Sequence, residues 1–221
     1  MRDSFRRELD GVADRLVGMC ELVGAAMRGA TMALLDNDLV LAEKVIHDDN
    51  RVDVARADCE ERAHALLALQ APVARDLRVV IAAVHAADSV ERMGDLAVHV
   101  ARTTRRRHPN PVLPTELRGR FANLGQICVT LADTAAQVIR TRDLVLAAEL
   151  ADTDNTVNAL HSGLMATLMS PDWPHGVATA VDVSQLSRFY ERFGDHAVSL
   201  ARRTAYVVTG DPRPPHLGRA A

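Results

Sequence analysis

Apolar residues recur every three or four positions along almost the whole chain, the spacing of helices with one buried face. In the first tract Leu9, Val12, Leu16, Met19, Val23, Ala26, Met27 and Met32 predict a helix over about Asp3 to Leu35. Gly11, Gly18, Gly24 and Gly29 fall inside it. Each costs about 1 kcal/mol against Ala, so the tract is either weak and exposed or closely approached by a neighbour. Asp36, Asn37 and Asp38 make a turn and an N-cap. A second helix then runs over about Leu39 to Leu69 and stops before Pro72, which lacks an amide hydrogen and clashes with a preceding turn. A third covers about Val73 to Arg106, ending in the basic run Arg105, Arg106 and Arg107, which suits the negative end of a helix dipole.

His108 to Pro114 contains three prolines and reads as a linker near the chain's midpoint. A fourth helix is expected over about Thr115 to Arg140, with Phe121, Leu124, Ile127, Cys128, Leu131, Ala135 and Val138 on one face. Asp143 caps a fifth that extends to about Ser170. Pro171 to Pro174 breaks the pattern, and a sixth helix covers about His175 to Val208. All nine prolines fall between or beyond these helices. The reading is an all-α chain of two three-helix halves: residues 1–107, a linker over 108–114, residues 115–210, and a frayed tail over 211–221.

A repeat supports that division. The stretch Glu91-Arg92-Met93-Gly94-Asp95-Leu96-Ala97-Val98 recurs as Glu191-Arg192-Phe193-Gly194-Asp195-His196-Ala197-Val198, an offset of 100 from 91 to 191. Upstream, Asp38-Leu39-Val40-Leu41-Ala42 recurs as Asp143-Leu144-Val145-Leu146-Ala147, an offset of 105 from 38 to 143. Asp49 and Asp53 recur as Asp154 and Asn158 at that same offset of 105. Half one therefore carries five extra residues between its two motifs. A period near half the chain length predicts two similar structural units.

Composition narrows the class. Among 221 residues 48% are hydrophobic but only 3% aromatic, which favours helix packed on helix over a β-sandwich. The net charge of −3 gives no basic excess for nucleic acid. Cys20, Cys59 and Cys128 are too few and too scattered for a disulfide framework, so a reducing cytoplasm is expected. The charged first ten residues do not resemble a signal peptide, and no tract is long and apolar enough to span a membrane.

The chemistry lies in the repeated acids. Residues i and i+4 share a helix face, so each copy presents a Glu and an Asp side by side. His85, Asp88, Glu91, Asp95 and His99 fall within an arc of roughly 120° at about 100° per residue. If the second and third helices of a half lie antiparallel, Asp49 and Asp53 face Glu91 and Asp95, and Asp154 and Asn158 face Glu191 and Asp195. Carboxylates so close repel unless a metal ion, an arginine or a proton neutralises them. Carboxylate clusters on facing helices build di-metal sites, and hard oxygen ligands suit Mg²⁺, Mn²⁺ or Ca²⁺. The plainer alternative is surface ion pairing with the adjacent Arg92 and Arg192. Duplication, with Gly94 and Gly194 at the same place, weighs towards a site. There is no phosphate-binding loop, dinucleotide fingerprint or nucleophile elbow. Two ExxH steps of the di-iron oxygenase kind are also missing.

Two halves, each with a DLxLA-type helix start, an upstream acidic step and an ERxGD step, resemble the PhoU family of phosphate-uptake regulators over about Arg7 to Val208. Asp76-Leu77-Arg78 before the first ERxGD is also similar to that family. The resemblance implies two tandem, pseudo-symmetric three-helix bundles and a non-enzymatic cytoplasmic protein. It implies restraint of a phosphate-sensing histidine kinase when phosphate is plentiful, and contact with the ATP-binding subunit of a phosphate ABC transporter. It implies a homodimer that meets the membrane only through such partners. It also implies metal binding, by iron, zinc, manganese or magnesium, at Asp49, Asp53, Glu91, Asp95, Asp154, Glu191 and Asp195. Asp88, His99 and Asn158 are further candidates, as ligands or supports. Asn158 departs from the acidic pattern and brings only a neutral carbonyl, so half one is expected to hold metal better. A helical-bundle di-metal carboxylate enzyme is the alternative function, and a structural adaptor without metal a third.

Overall fold

The computed structural model describes residues 2–211, with side chains from residue 7; the expected frayed tail beyond residue 211 lies outside the described residues. Every regular element among them is helical: α1 (Arg2–Asp36), α2 (Leu39–Asp48), α3 (Asn50–Gln70), α4 (Ala74–Arg107), α5 (Arg118–Thr141), α6 (Leu144–Leu168) and α7 (Gly176–Thr209). A single 3₁₀ turn, Thr115–Leu117, leads into α5. The predicted caps form. Asp38 accepts a hydrogen bond from the Leu41 amide, and Asp143 accepts from the amides of Val145 and Leu146.

The second predicted helix is broken where the sequence reading has it continuous. α2 ends at Asp48 and α3 begins at Asn50, while Asp49 between them keeps helical angles (φ −57°, ψ −33°). Asp48, Asp49 and Asn50 are short polar residues that compete with the backbone for its own hydrogen bonds. The matching α6 carries Thr153, Asp154 and Asn155 and stays continuous. The five extra residues of half one also find their place. α3 runs on to Gln70 before a short turn, whereas α6 ends at Leu168 and a longer turn leads to Gly176.

Within each half the long final helix packs against the other two. The halves then join through α1 against α5 and α4 against α7. α4 and α7 are antiparallel: His99 stacks on Phe189 with ring centroids 5.2 Å apart, and Arg78 lies over the Tyr206 ring at 6.0 Å. These pairings place the pseudo-two-fold axis near Gly94 and Gly194. One hydrophobic core runs through both halves, from Leu16 and Met27 through Met93 to Phe121, Leu131 and Phe193. At its centre the Thr31 hydroxyl donates to the Met27 carbonyl at 2.8 Å and shares a hydrogen bond with the Tyr190 hydroxyl at 2.9 Å. Thus a half-one hydroxyl satisfies the buried phenol of half two, which would otherwise cost about 1–3 kcal/mol unpaired.

The α1 glycines divide as their surroundings dictate. A Cβ on Gly24 would meet Ala132 at 3.4 Å and one on Gly29 would meet Val45 at 2.9 Å, so both mark close helix approach; Gly18 faces open space. The proline-rich linker is packed rather than free: Val112 and Leu113 are buried, and Asn37 donates to the Pro109 carbonyl at 2.7 Å.

One ion-pair cluster also ties the halves. The buried Asp182 on α7 accepts from Arg106 of α4 at 2.8 Å and from Arg107. Asp182→Ala should lower stability by about 1–3 kcal/mol, less than a fully buried pair would lose because both arginines remain partly in water. Urea denaturation checks this, and an unchanged midpoint would count against the clamp. No helix among the described residues is long and apolar enough to cross a membrane.

Candidate functional site

Both ERxGD steps sit midway along the last helix of their half, on α4 and α7, facing the upstream acid step across the hairpin. The glycine of each step makes room for an aspartate. A Cβ on Gly94 would stand 3.2 Å from Asp49 Oδ1 and 3.3 Å from Val52 Cγ1. A Cβ on Gly194 would stand 2.1 Å from Asp154 Oδ1, a separation that no carbon and oxygen can hold without a bond. The glycine is therefore where the carboxylate lies against the facing helix. Sequence reasoning expected close approach at these positions; the structure identifies what approaches.

In half one the four predicted acids lie near enough to act on one another's charge. Asp49 is pushed up to about 6, first by burial, then by Asp53 and Asp95, with Arg102 pulling against them and Glu91 adding to the rise. Glu91 is likewise raised by burial and by Asp95, offset by Arg92 and Arg56. Arg92 lies 3.2 Å from Asp95 and 3.6 Å from Glu91, so the ion-pair alternative is partly realised, on an exposed guanidinium. Asp88 pairs with Arg56 of α3 at 3.1 Å, an arginine that also acts on Glu91. His99 has its ring on Phe189 in the seam between the halves.

Half two is more enclosed. Asp154 is 6% exposed and Glu191 8%. Burial pushes Asp154 up to about 6, Asp195 adds to this, and the Asn158 hydrogen bond opposes it. Asn158 donates its amide to Asp154 Oδ2 at 3.0 Å. Glu191 is raised by burial and Asp195, and Arg188 donates to its Oε1. The other oxygens, Asp154 Oδ1 and Glu191 Oε2, are buried without a hydrogen-bond partner. A buried, unpaired acceptor is costly. Both oxygens lie on facing helices near Asp195, and carboxylate oxygens are the kind of ligand a hard cation takes. Among the described residues, however, no three His, Cys, Asp or Glu side chains already stand as a metal-binding group.

Sequence reasoning missed the cations. In half two Arg188, rather than Arg192, donates to Glu191. Arg102 and Arg202 temper Asp49 and Asp154 respectively. Their signal was available: Ala101-Arg102 recurs as Ala201-Arg202 at the same offset of 100, from 102 to 202, so the repeat extends one turn beyond the ERxGD stretch.

Comparison with known proteins agrees with this two-part plan. The PhoU domain matches twice, over residues 16–104 and 121–204. A phosphate-specific transport system accessory protein, PhoU homolog 1 of Mycobacterium leprae, is 49% identical over 210 residues, covering 95% of each chain. The corresponding homolog 2 of Mycobacterium tuberculosis is 48% identical over 95% of this chain and 99% of its own. The crystal structure of PhoU from Pseudomonas aeruginosa superimposes with a TM-score of 0.82 at 27% identity, covering 94% of this chain and all of the other.

Proposed function

The chain belongs to the PhoU family, and from that premise we propose that it is a non-enzymatic regulator of phosphate uptake and phosphate-starvation signalling. The observation that carries this reading is the full-length likeness, through both halves, to accessory proteins of phosphate-specific transport systems. On this reading the protein is cytoplasmic and docks on a phosphate-sensing histidine kinase and on the ATP-binding subunit of a phosphate ABC transporter. It shifts these partners by binding one of their states better than the other; only such differential affinity moves a two-state equilibrium. A coupling of about 1–3 kcal/mol, roughly 5–150-fold, is typical.

Metal would serve that docking by fixing the hairpins. In half one Asp49, Asp53, Glu91 and Asp95 would hold it; in half two, Asp154, Glu191 and Asp195. A bound iron, zinc, manganese or magnesium ion supplies positive charge that relieves the repulsion among these carboxylates. The chain's own contribution is to seat Asp49 and Asp154 against a glycine, so that the upstream acid reaches the facing helix.

Deleting the gene should leave phosphate-starvation genes expressed in high phosphate, and re-expression of the wild-type chain should restore repression. Normal repression in a deletion strain that has no second copy would reject the regulator reading.

A further inference from the structure

The two ends of the molecule are built from equivalent elements but are closed differently. At one end the start of α4 meets the end of α7, marked by Arg78 over the Tyr206 ring. At the other the start of α7 meets the end of α4, marked by Arg107 donating to the Ala178 carbonyl. The first end contains an apolar cavity of about 60 Å³, partly open to solvent. Val12 of α1, Ala83 of α4, Ile139 and Arg142 of α5, and Val207 of α7 line it. Close-packed interiors leave few such voids. The repeat offsets of 100 and 105 give the counterparts of these residues at the second end: Leu117, Val183, Leu34, Asn37 and Arg107. Asn37 and Arg142 match in conformation as well, each just past its helix in the left-handed region, at φ 52° and 58°.

Two features close the second end. α7 carries Asp182, Val183 and Leu186, all buried, where α4 carries Ala82, Ala83 and Ala86. Larger side chains thus fill the space that the alanines leave. The linker after α4 then crosses this end. Asn37 donates to the Pro109 carbonyl at 2.7 Å, Asn110 stays exposed, and Val112 and Leu113 are buried in the core. The chain that leaves α7 carries the same signature. Pro109-Asn110-Pro111 recurs as Pro212-Arg213-Pro214, an offset of 103 from 109 to 212. The helices themselves end 102 apart, at Arg107 and Thr209. Pro215 and Leu217 then stand where the linker has Val112 and Pro114.

We propose that residues 212–217 seat across the half-one cavity as the linker seats across the opposite end. Arg142 takes the part of Asn37 and donates to the Pro212 carbonyl, while Pro215 and Leu217 cover Ile139 and Val207. Reach is sufficient: Val207 is on the cavity wall, and the chain from Gly210 to Leu217 extends about 25 Å at about 3.3 Å per residue. The prolines fix their own φ, which lowers the entropy lost on seating. Arg213 takes the place of the exposed Asn110, so its charge stays in water, away from Arg142 and Arg203. An anionic amphiphile is the rival occupant, since both of those arginines line the cavity. Their charges are already answered, Arg142 by Asp10 at 3.7 Å and Arg203 by the field of Asp88, so a neutral apolar segment fits better.

The test uses the full chain. With a benzophenone amino acid in place of Leu217, irradiation should attach it within one copy to the peptides that carry Val12 or Ile139. Mixing heavy- and light-isotope chains separates such links from links between copies. Pro215→Asp/Leu217→Asp should speed amide hydrogen exchange in residues 138–141 and 206–209 by about 10-fold or more, because local opening sets exchange there. Leu34 and Leu35, at the opposite end, should keep their rates. Both substitutions lie beyond the last helix, so circular dichroism should be unchanged. Links to other surfaces alone, links between copies, or exchange rates untouched by the double substitution would overturn the proposal. Octanoate that raised the Tm of the wild type as much as that of the double variant would show the cavity standing open to an amphiphile, and would overturn it too.

Discussion

Gly194→Ala should destabilise the protein by about 1–3 kcal/mol, the usual cost of forcing extra volume into a packed site, while Gly94→Ala stays near neutral. Both substitutions gain helix propensity of about 1 kcal/mol. What differs is the neighbour. At Gly194 the new methyl would land 2.1 Å from Asp154 Oδ1, and Asp154 is buried with its other oxygen held by Asn158. To yield, that carboxylate must leave its seat and break the Asn158 bond. At Gly94 the contact to Asp49 Oδ1 is 3.2 Å, and Asp49 is only half-buried at the break between α2 and α3. A shift of a few tenths of an ångström relieves it. Denaturant titration measures both variants. Asp154→Ala in the Gly194→Ala background should recover most of the loss, a coupling expected only of side chains in direct contact. Equal effects of the two glycine substitutions, or no recovery, would show that the carboxylate does not occupy the glycine's space.

That asymmetry marks the boundary of what the sequence makes legible. Periodicity and proline placement predict the long helices because burial of one face dominates their stability. The repeat gives the pseudo-symmetry and names the acids. Neither signal separates Asp49 from Asp154, since both are an Asp at the same place in the repeat. Their environments differ through single neighbours: Asp48 against Thr153 decides whether the helix breaks, and Asp53 against Asn158 decides whether the carboxylate meets a charge or an amide. Arg188 against Asp88 has the same character. On α7 the arginine reaches Glu191, whereas on α4 the aspartate draws Arg56 to itself. The exposure of Leu77 and Ile81 on α4 is illegible for another reason. At helical spacing Leu77 and Ile81 are indistinguishable from core positions until the neighbouring helices are in place.

The same neighbours rank the two sites for metal. Glu91→Gln/Asp95→Asn should cost the protein more bound metal than Glu191→Gln/Asp195→Asn. The affinity loss at the half-one site should exceed the 10–100-fold that even supporting residues typically cost. Half one offers four carboxylates and no amide, and the guanidinium that pairs with Glu91 and Asp95, that of Arg92, is exposed. In half two a cation must displace Asn158 from Asp154 and Arg188 from Glu191 before those oxygens are free. Metal affinity at both sites should fall as pH drops below about 6, because a ligand must lose its proton to bind and Asp49 and Asp154 are held at about 6. The metal-free protein should show the opposite trend in stability. Each folded pKa lies above its ordinary 3.8, so between those values the folded state binds more protons than the unfolded chain. Stability then rises as pH falls from about 6 to 4, and above 6 the penalty is complete. Two units correspond to at most about 3 kcal/mol per group, and Asp49, partly in water, contributes less. Asp49→Asn/Asp154→Asn removes both titrations, so in the presence of chelator the variant should be more stable than the wild type at pH 7. It should also lack the wild type's gain on acidification. Parallel stability profiles for the two proteins between pH 4 and 7 would mean that these carboxylates are not strained in the metal-free state, and the case for a cation to relieve them would go with it.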